Sequence, residues 1–428
     1  MTRLLCFALL LHFLFTPSLQ AQNENEKNNT FTMSAQIRAR GEYRNGALFP
    51  FESGDDPAYF INNRARISMD YMRSNLQLKF SAQHVGVWGQ DPQIDKNGRF
   101  MLNEAWAKMY FGNDRFFAQL GRFALAYDDE RILGGLDWNV AGRFHDALRL
   151  GYEYNAHTVH AILALNQNDE RISGGSFYIP GGQPYKNMQT LWYQYKSKEC
   201  PFRVSLLAMN LGFEGGDPET KKADNYYMQT FGANLGYQIN RLNINASGYY
   251  QSGKTKTDRS VSAFLANVEL NYLLSDKWSL NGGFDYLSGS SSDKGTYKAF
   301  DPLYGTHHKF YGAMDYFYAS AFKTGYAPGL TDSRIGTTFK PSKTVNMNIF
   351  YHYFATAVCL PELKKSLGSE IDLQLNVNVM KDVSLSAGYS FMFGTRTMDV
   401  IKGGNHNRWQ DWAWVSININ PQILKVKW

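Results

Sequence analysis

Connections between the strand-like segments of this chain alternate in length, and that alternation restricts its fold more than any other feature. Tight links occur at Arg73-Ser74-Asn75, Gly112 to Arg115, Tyr154 to His157, Lys196 to Pro201, Gln238 to Arg241, Leu274 to Lys277, Lys340 to Lys343 and Met380 to Asp382. Between them lie longer links rich in Gly, Asp, Asn and Pro, at 45–58, 89–99, 124–142, 167–185, 212–224, 289–328 and 395–407. A set of soluble hairpins has no reason to alternate in this way. A transmembrane β-barrel does, because short turns gather on the periplasmic rim and long loops on the outer one.

The segments themselves have a period of two. Ile371, Leu373, Leu375, Val377 and Val379 interleave with Asp372, Gln374, Asn376 and Asn378. Val345, Met347, Ile349, Tyr351 and Tyr353 interleave with Asn346, Asn348 and His352, and Leu242, Ile244, Ala246, Gly248 and Tyr250 with Asn243, Asn245, Ser247 and Tyr249. Each run has about 9–11 residues, enough for a tilted strand to cross a bilayer. About eighteen such strands are predicted, an even number suited to closure. Their spans are 33–44, 59–72, 76–88, 100–111, 115–123, 143–154, 157–166, 186–196, 201–211, 225–238, 241–252, 259–273, 277–288, 329–340, 343–356, 368–380, 382–394 and 408–419. The fold class expected is all-β, a transmembrane antiparallel barrel.

Composition agrees with this. Aromatic residues reach 15% while charged residues make up only 19%, and mean hydropathy is −0.41. A barrel reconciles these values because half of each strand meets lipid and half meets water. Residues 1–21 read as a secretory signal, with Arg3 ahead of the apolar run Leu4 to Phe15 and a small residue, Ala21, before the cut. Residues 22–30 read as a flexible tail, leaving 31–428 for the barrel. Removing Arg3 takes the formal net charge from +6 to 6 − 1 = +5. No Lys/Arg run is present to suggest nucleic acid.

Aromatic clusters at Trp192/Tyr193/Tyr195, Tyr226/Tyr227, Tyr249/Tyr250 and Trp409/Trp412/Trp414 are expected to form interfacial girdles. The end of the chain, Leu424, Val426 and Trp428 in phase around Lys425 and Lys427, resembles the sorting signal of outer-membrane barrels. Cys200 in a short turn and Cys359 in a long loop belong to opposite rims, too far apart for a disulfide.

Parity also places the charges. Arg38, Arg40, Glu42 and Arg44 share one strand face, and Arg64, Arg66, Ser68 and Asp70 share another. An arginine at the bilayer midplane costs roughly 2–4 kcal/mol, so these faces must look into the lumen. Lys79, Lys108, Arg143, His145, Arg149 and Glu153 fit the same wall. A basic stripe on a narrow channel concentrates anions, and guanidinium forks suit carboxylates. Its alternative is structural, with lumen Arg, Glu and Asp neutralising one another.

Nothing points to an enzyme. His84, His145, His157, His160, His307, His308 and His352 are scattered, without a nucleophile motif. No cofactor is expected. Loop calcium at Asp128-Asp129-Glu130 or Asp55-Asp56 weighs less than plain solvated acids.

The stretch from Gly121 to Arg149, GRFALAYDDERILGGLDWNVAGRFHDALR, resembles the alginate-export family of outer-membrane porins. Its marks are Gly121-Arg122, Asp129 and Arg131, Asp137-Trp138, Gly142-Arg143, Asp146 and Arg149, with similar Arg38-Ala39-Arg40, Arg64-Ala65-Arg66 and Gly329-Leu330 segments. The resemblance implies a monomeric eighteen-stranded barrel with an arginine-lined, anion-selective conduit for an alginate-like polyuronate. It implies Arg122, Arg131, Arg143 and Arg149 at the constriction, oriented by Asp129 and Asp146. Polymer exporters of this kind are expected to gate with a long periplasmic turn, and every turn on that rim is short here. A porin for small anionic solutes is therefore the alternative. The partners expected are the outer-membrane bilayer and an anionic solute or polysaccharide.

Overall fold

The computed structural model describes residues 29–91, 100–170, 172–181, 183–291 and 294–428. The expected signal and nearly all of the tail lie outside the described residues. Strands run as β1 (Thr30–Asn45), β2 (Ala58–Arg73), β3 (Leu76–Val87), β4 (Phe100–Phe111), β5 (Phe116–Phe123) and β6 (His145–Tyr154). They continue as β7 (His157–Leu165), β8 (Asn187–Lys196), β9 (Phe202–Glu214), β10 (Asn225–Ile239), β11 (Leu242–Lys254), β12 (Ser260–Leu273) and β13 (Trp278–Leu287). The last are β14 (Leu330–Phe339), β15 (Val345–Ala355), β16 (Ser366–Met380), β17 (Val383–Gly394), β18 (Gln410–Ile419) and β19 (Gln422–Lys427). All eighteen expected strands are present, their ends within three residues of the spans read from the sequence.

From β1 to β18 each strand pairs antiparallel with the next in sequence, and β1 closes the ring. On one side it meets β2. On the other, Ile37–Asn45 meets β18 and Thr30–Ser34 meets β19. β18 and β19 thus form one wall position, interrupted where Pro421 has no N–H to give the ladder. Asn29 and Trp428 exchange backbone hydrogen bonds at 2.7 and 3.1 Å, so the terminal segment taken as a sorting signal is also the closing strand. The short turns use residues that tolerate positive φ: Asn113, Asp114, Asn155, Asn240 and Asp382.

Alternation sorts the two faces. Ile37, Ile67, Leu120, Leu191, Phe231, Phe284, Ile335 and Val415 point outward and exposed, as a lipid-facing band requires. Arg40, Arg64, Ser205, Asn234, Asn267, Asp285, Asp332 and Glu370 point inward and buried. The same parity corrects the girdle reading. Tyr227, Tyr250 and Trp409 are exposed, but Trp192, Tyr249, Trp412 and Trp414 are buried. Adjacent residues of a strand face opposite ways, so the inward-facing members of these clusters pack into the lumen. Cys200 and Cys359 are both free thiols.

Two outer loops, 124–144 and 288–329, account for much of the interior. Tyr311, Met314, Tyr316 and Phe317 of the second are almost wholly buried, worth roughly 1.5–3 kcal/mol for each large apolar side chain. The loops join by a short parallel pairing of Leu133 with Tyr304. Its hydrogen bonds run from Gly134 N to Tyr304 O at 2.9 Å, Tyr304 N to Ile132 O at 3.0 Å, and Thr306 N to Glu130 O at 2.9 Å. Gly305 permits this approach, since a Cβ there would collide with the Arg131 carbonyl.

Loop 288–329 is latched at its outer end by Lys402, the last residue of a helix (Arg396–Lys402) capped by the Thr395 side chain. The Lys402 ammonium donates to Ser320 Oγ at 2.8 Å and Ala321 O at 2.7 Å. Loss of solvent on burial lowers its pKa from 10.5 to about 7. The docked state therefore holds fewer protons than the undocked one between these values, and docking should strengthen as pH rises through that window. Single-channel recordings should show fewer conductance fluctuations at its alkaline end, and Lys402→Met should flatten the dependence.

Candidate functional site

The arginines of β1 and β2 meet the segment 136–142, which has no ladder of its own to satisfy its carbonyls. Arg64 donates to Val140 O at 2.6 Å, Asp137 Oδ1 at 2.6 Å and Asn139 O at 2.7 Å. Arg38 reaches Asp137 O at 2.8 Å and Asn139 O at 3.1 Å. Arg40 donates to Trp138 O at 3.0 Å and lies 3.9 Å from the centre of that ring. Gln83 and Asn103 both donate to Ala141 O, at 2.7 and 3.2 Å. Parity placed these guanidinium groups in the lumen, and it is loop carbonyls that they hold there. Arg44 and Arg40 also converge on buried Glu42, at 2.7 and 2.8 Å, with Asn62 and Trp412 donating to the same carboxylate. Arg66 binds Gln83 at 2.6 and 2.9 Å.

Across the lumen the wall is acidic. Arg131, 1% exposed, extends from loop 124–144 to Asp129 at 2.9 Å and to Glu269 of β12 at 2.7 Å. Its Nη1 lies 2.6 Å from Asp285 of β13, in ion-pair contact but not aligned for a hydrogen bond. Arg334 of β14 shares Glu269 at 2.5 Å, contacts Asp285, and lies 3.5 Å from Asp332. His352 sits between Asp332 at 3.0 Å and Asp372 at 3.5 Å. Loop 124–144 is thus tied to both sides, by its carbonyls to the basic wall and by Arg131 to the acidic one.

The four arginines implied by the family pattern therefore separate. Arg131 is sealed within its carboxylates, beside its partner Asp129. Arg122 forms a two-point pair with Asp146 at 2.8 Å on the wall. Arg149 donates to Tyr127 Oη at 3.1 Å and to Gln119. Arg143 donates to the carbonyls of Tyr304 and Gly305, has no carboxylate partner among the described residues, and borders open space. The run Asp128-Asp129-Glu130 is divided among separate partners: Trp192 and Ser205, then Arg131, then Thr306. Among the described residues no three His, Cys, Asp or Glu side chains gather as a metal site.

Two cavities flank the joined loops. The outer one, ≈ 760 Å3, is bordered among the described residues by Arg143, Lys256, Arg259 and Asp301. The inner one, ≈ 1260 Å3, opens among the periplasmic turns and carries Lys196, Lys198, Arg203, Lys309 and Arg334 against Glu199, Glu269 and Asp372. Arg203, Lys309 and Arg334 were not singled out from the sequence. Parity alone marks Arg203, which lies between Phe202 and Val204, but one cation per strand forms no stripe.

A closed barrel with an apolar outer band and a charged, loop-narrowed lumen defines an outer-membrane porin. The match to the Alginate export family model covers residues 29–358, and the chain belongs to that family. No curated protein matches it in sequence. Among solved structures it is similar to Acinetobacter baumannii OccAB1, at 10% identity over 94% of this chain and 100% of that one, with a TM-score of 0.62. It is similar also to Pseudomonas aeruginosa OccK2 (OpdF) in complex with glucuronate, at 12% identity, 92% and 98% coverage, and a TM-score of 0.60. A third is Pseudomonas aeruginosa OpdK with vanillate, at 9% identity, 92% and 99% coverage, and a TM-score of 0.60. At such identities the likeness is one of fold.

Proposed function

We propose that this porin prefers anions and conducts carboxylate-bearing saccharides as monomers or short uronate oligomers. The observation that carries this is Arg143, which borders the outer cavity beside the joined loops and has no carboxylate partner among the described residues. A low-dielectric channel focuses that field on entering solutes. Two structural neighbours were solved with small carboxylates, glucuronate and vanillate, which supports the same solute class. In the inner cavity Arg203 is likewise held by neutral side chains, with no carboxylate paired to it among the described residues.

Export of an intact polyuronate is the second reading, favoured by the family match. It requires loops 124–144 and 288–329 to part, since their pairing crosses the route between the cavities.

Planar-bilayer recordings under a KCl gradient test the proposal, and the wild-type reversal potential should indicate anion preference. Arg143→Gln should lower the anion-to-cation permeability ratio about sevenfold, since one unit charge at roughly 7 Å through water shifts anion and cation by about 0.6 kcal/mol each, in opposite directions. A cation-selective wild-type pore would overturn the reading.

A further inference from the structure

The inner cavity has a second character besides charge, seen opposite the arginine wall. Asn243 of β11 donates to Asn271 of β12 at 3.5 Å, and Asn271 donates to Asn281 of β13 at 2.6 Å. Asn281 donates to Thr338 of β14 at 3.2 Å, and Thr338 to Asn348 of β15 at 2.9 Å. Four spacings of roughly 4.8 Å make this row about 19 Å long. It runs at right angles to strands that are themselves tilted by roughly 35–45°, so it climbs the wall as an inclined track. Asn243, Asn271, Asn281 and Asn348 all border the cavity.

A side-chain amide has two N–H donors and a carbonyl oxygen with two lone pairs. The interior amides of the row, Asn271 and Asn281, each give one donor and one acceptor to their neighbours. One N–H and one lone pair remain for the cavity. That combination complements a sugar hydroxyl, which also donates and accepts, and it neither attracts nor repels charge. Arg203 stands at the β9 end of the track. Its Nη2 donates to Asn234 Oδ1 at 3.0 Å and Asn245 Oδ1 at 3.2 Å. Bare Gly236 leaves room beside it, and among the described residues no carboxylate pairs with it. Unlike Arg131 or Arg334, it is a cation held in place by neutral groups.

We propose that the inner cavity is a saccharide subsite, in which Arg203 takes the carboxylate of a uronate residue and the amide row takes the hydroxyls of the sugars that follow. The proposal rests on the anion-channel reading and adds a specificity to it: hydroxyls are recognised as well as charge. Each hydrogen bond is worth only about 0.5–1.5 kcal/mol, so the track is a series of weak sites that a conduit needs for release. The cavity exceeds the roughly 300–1,000 Å3 of a site for one drug-sized molecule, which suits an oligomer.

Single-channel block by trigalacturonate added on the periplasmic side tests it, with tricarballylate as a hydroxyl-free tricarboxylate for comparison. The Asn271→Leu/Asn281→Leu variant should shorten the trigalacturonate residence time roughly tenfold, from the loss of two or so hydrogen bonds. It should leave tricarballylate block and the KCl reversal potential unchanged. Arg203→Gln should weaken block by both compounds. Asn271→Ser/Asn281→Ser serves if the leucines prevent assembly, and should give a smaller loss of the same selectivity. Equal residence times for trigalacturonate in wild type and assembled amide variants would overturn the subsite. So would an anion-selective wild type that trigalacturonate fails to block, although the anion channel would stand. A cation-selective wild type would instead remove the reading beneath it.

Discussion

Arg131→Met is expected to destabilise the protein by about 3–5 kcal/mol, the cost of leaving buried charges without their partner. It should also turn a steady single-channel current into a flickering one. Arg131 is buried among Asp129, Glu269 and Asp285, with its guanidinium 3.9 Å from the Phe310 ring centre. A methionine fills similar space but leaves Asp129 with the residue-131 N–H and the Ser247 hydroxyl, each at 3.3 Å, and Asp285 with Arg334 as its cation among the described residues. The carbonyl contacts from Arg38, Arg40 and Arg64 would still hold residues 137–140. The loop would therefore be fixed on one side and loose on the other, which is why current noise is expected to rise. Arg131→Lys keeps the charge but not the fork, and should fall between the two. The loss of heat resistance of the folded band in gels and open-channel noise read the two effects separately. An unchanged melting point and quiet current for Arg131→Met would mean that the network does not anchor the loop.

How far this arrangement was legible in the sequence depends on the range of the interaction involved. Strand positions follow from a period of two over membrane length, a local signal, and their ends were readable to within a few residues. Which face carries Arg38, Arg40, Arg64 and Arg66 was equally local, because hydrocarbon excludes guanidinium groups. What those arginines bind was not legible. Arg64 meets Val140, 76 positions away, and Arg131 meets Glu269 across 138 positions. No spacing rule joins an irregular loop to the far wall of a barrel. Trp192, Trp412 and Trp414 failed differently. Their inward parity was readable, but clustering was read as a girdle before parity was applied residue by residue. The amide row lacked any contrast, since asparagine on a lumen face is ordinary until the register sets Asn271 opposite Asn281 and Thr338 opposite Asn348.

Replacing residues 304–326 with a short Gly-Ser turn is expected to raise conductance roughly two- to fourfold, since a water-filled barrel of this strand number conducts freely once unplugged. The barrel should survive the deletion. Hairpin β13–β14 closes at Leu287 opposite Leu330, and the loop adds no strand to the wall. Its removal takes away Tyr311, Met314, Tyr316 and Phe317, and with them the segment that pairs across the lumen with Leu133. It also exposes buried Glu370, which now accepts from Met314 N at 2.8 Å, and frees Asp372 from Ala313 N at 3.3 Å. One carboxylate newly open to the channel and a second relieved of its loop contact should reduce its anion preference even as current rises. That opposition distinguishes a plug from a mere surface loop, whose loss would move neither quantity. Long polyuronate should block the deleted form and leave the wild type untouched if passage is normally confined to short oligomers. Equal block of both forms would show that the loops part for a polymer, and the second functional reading would then displace the first.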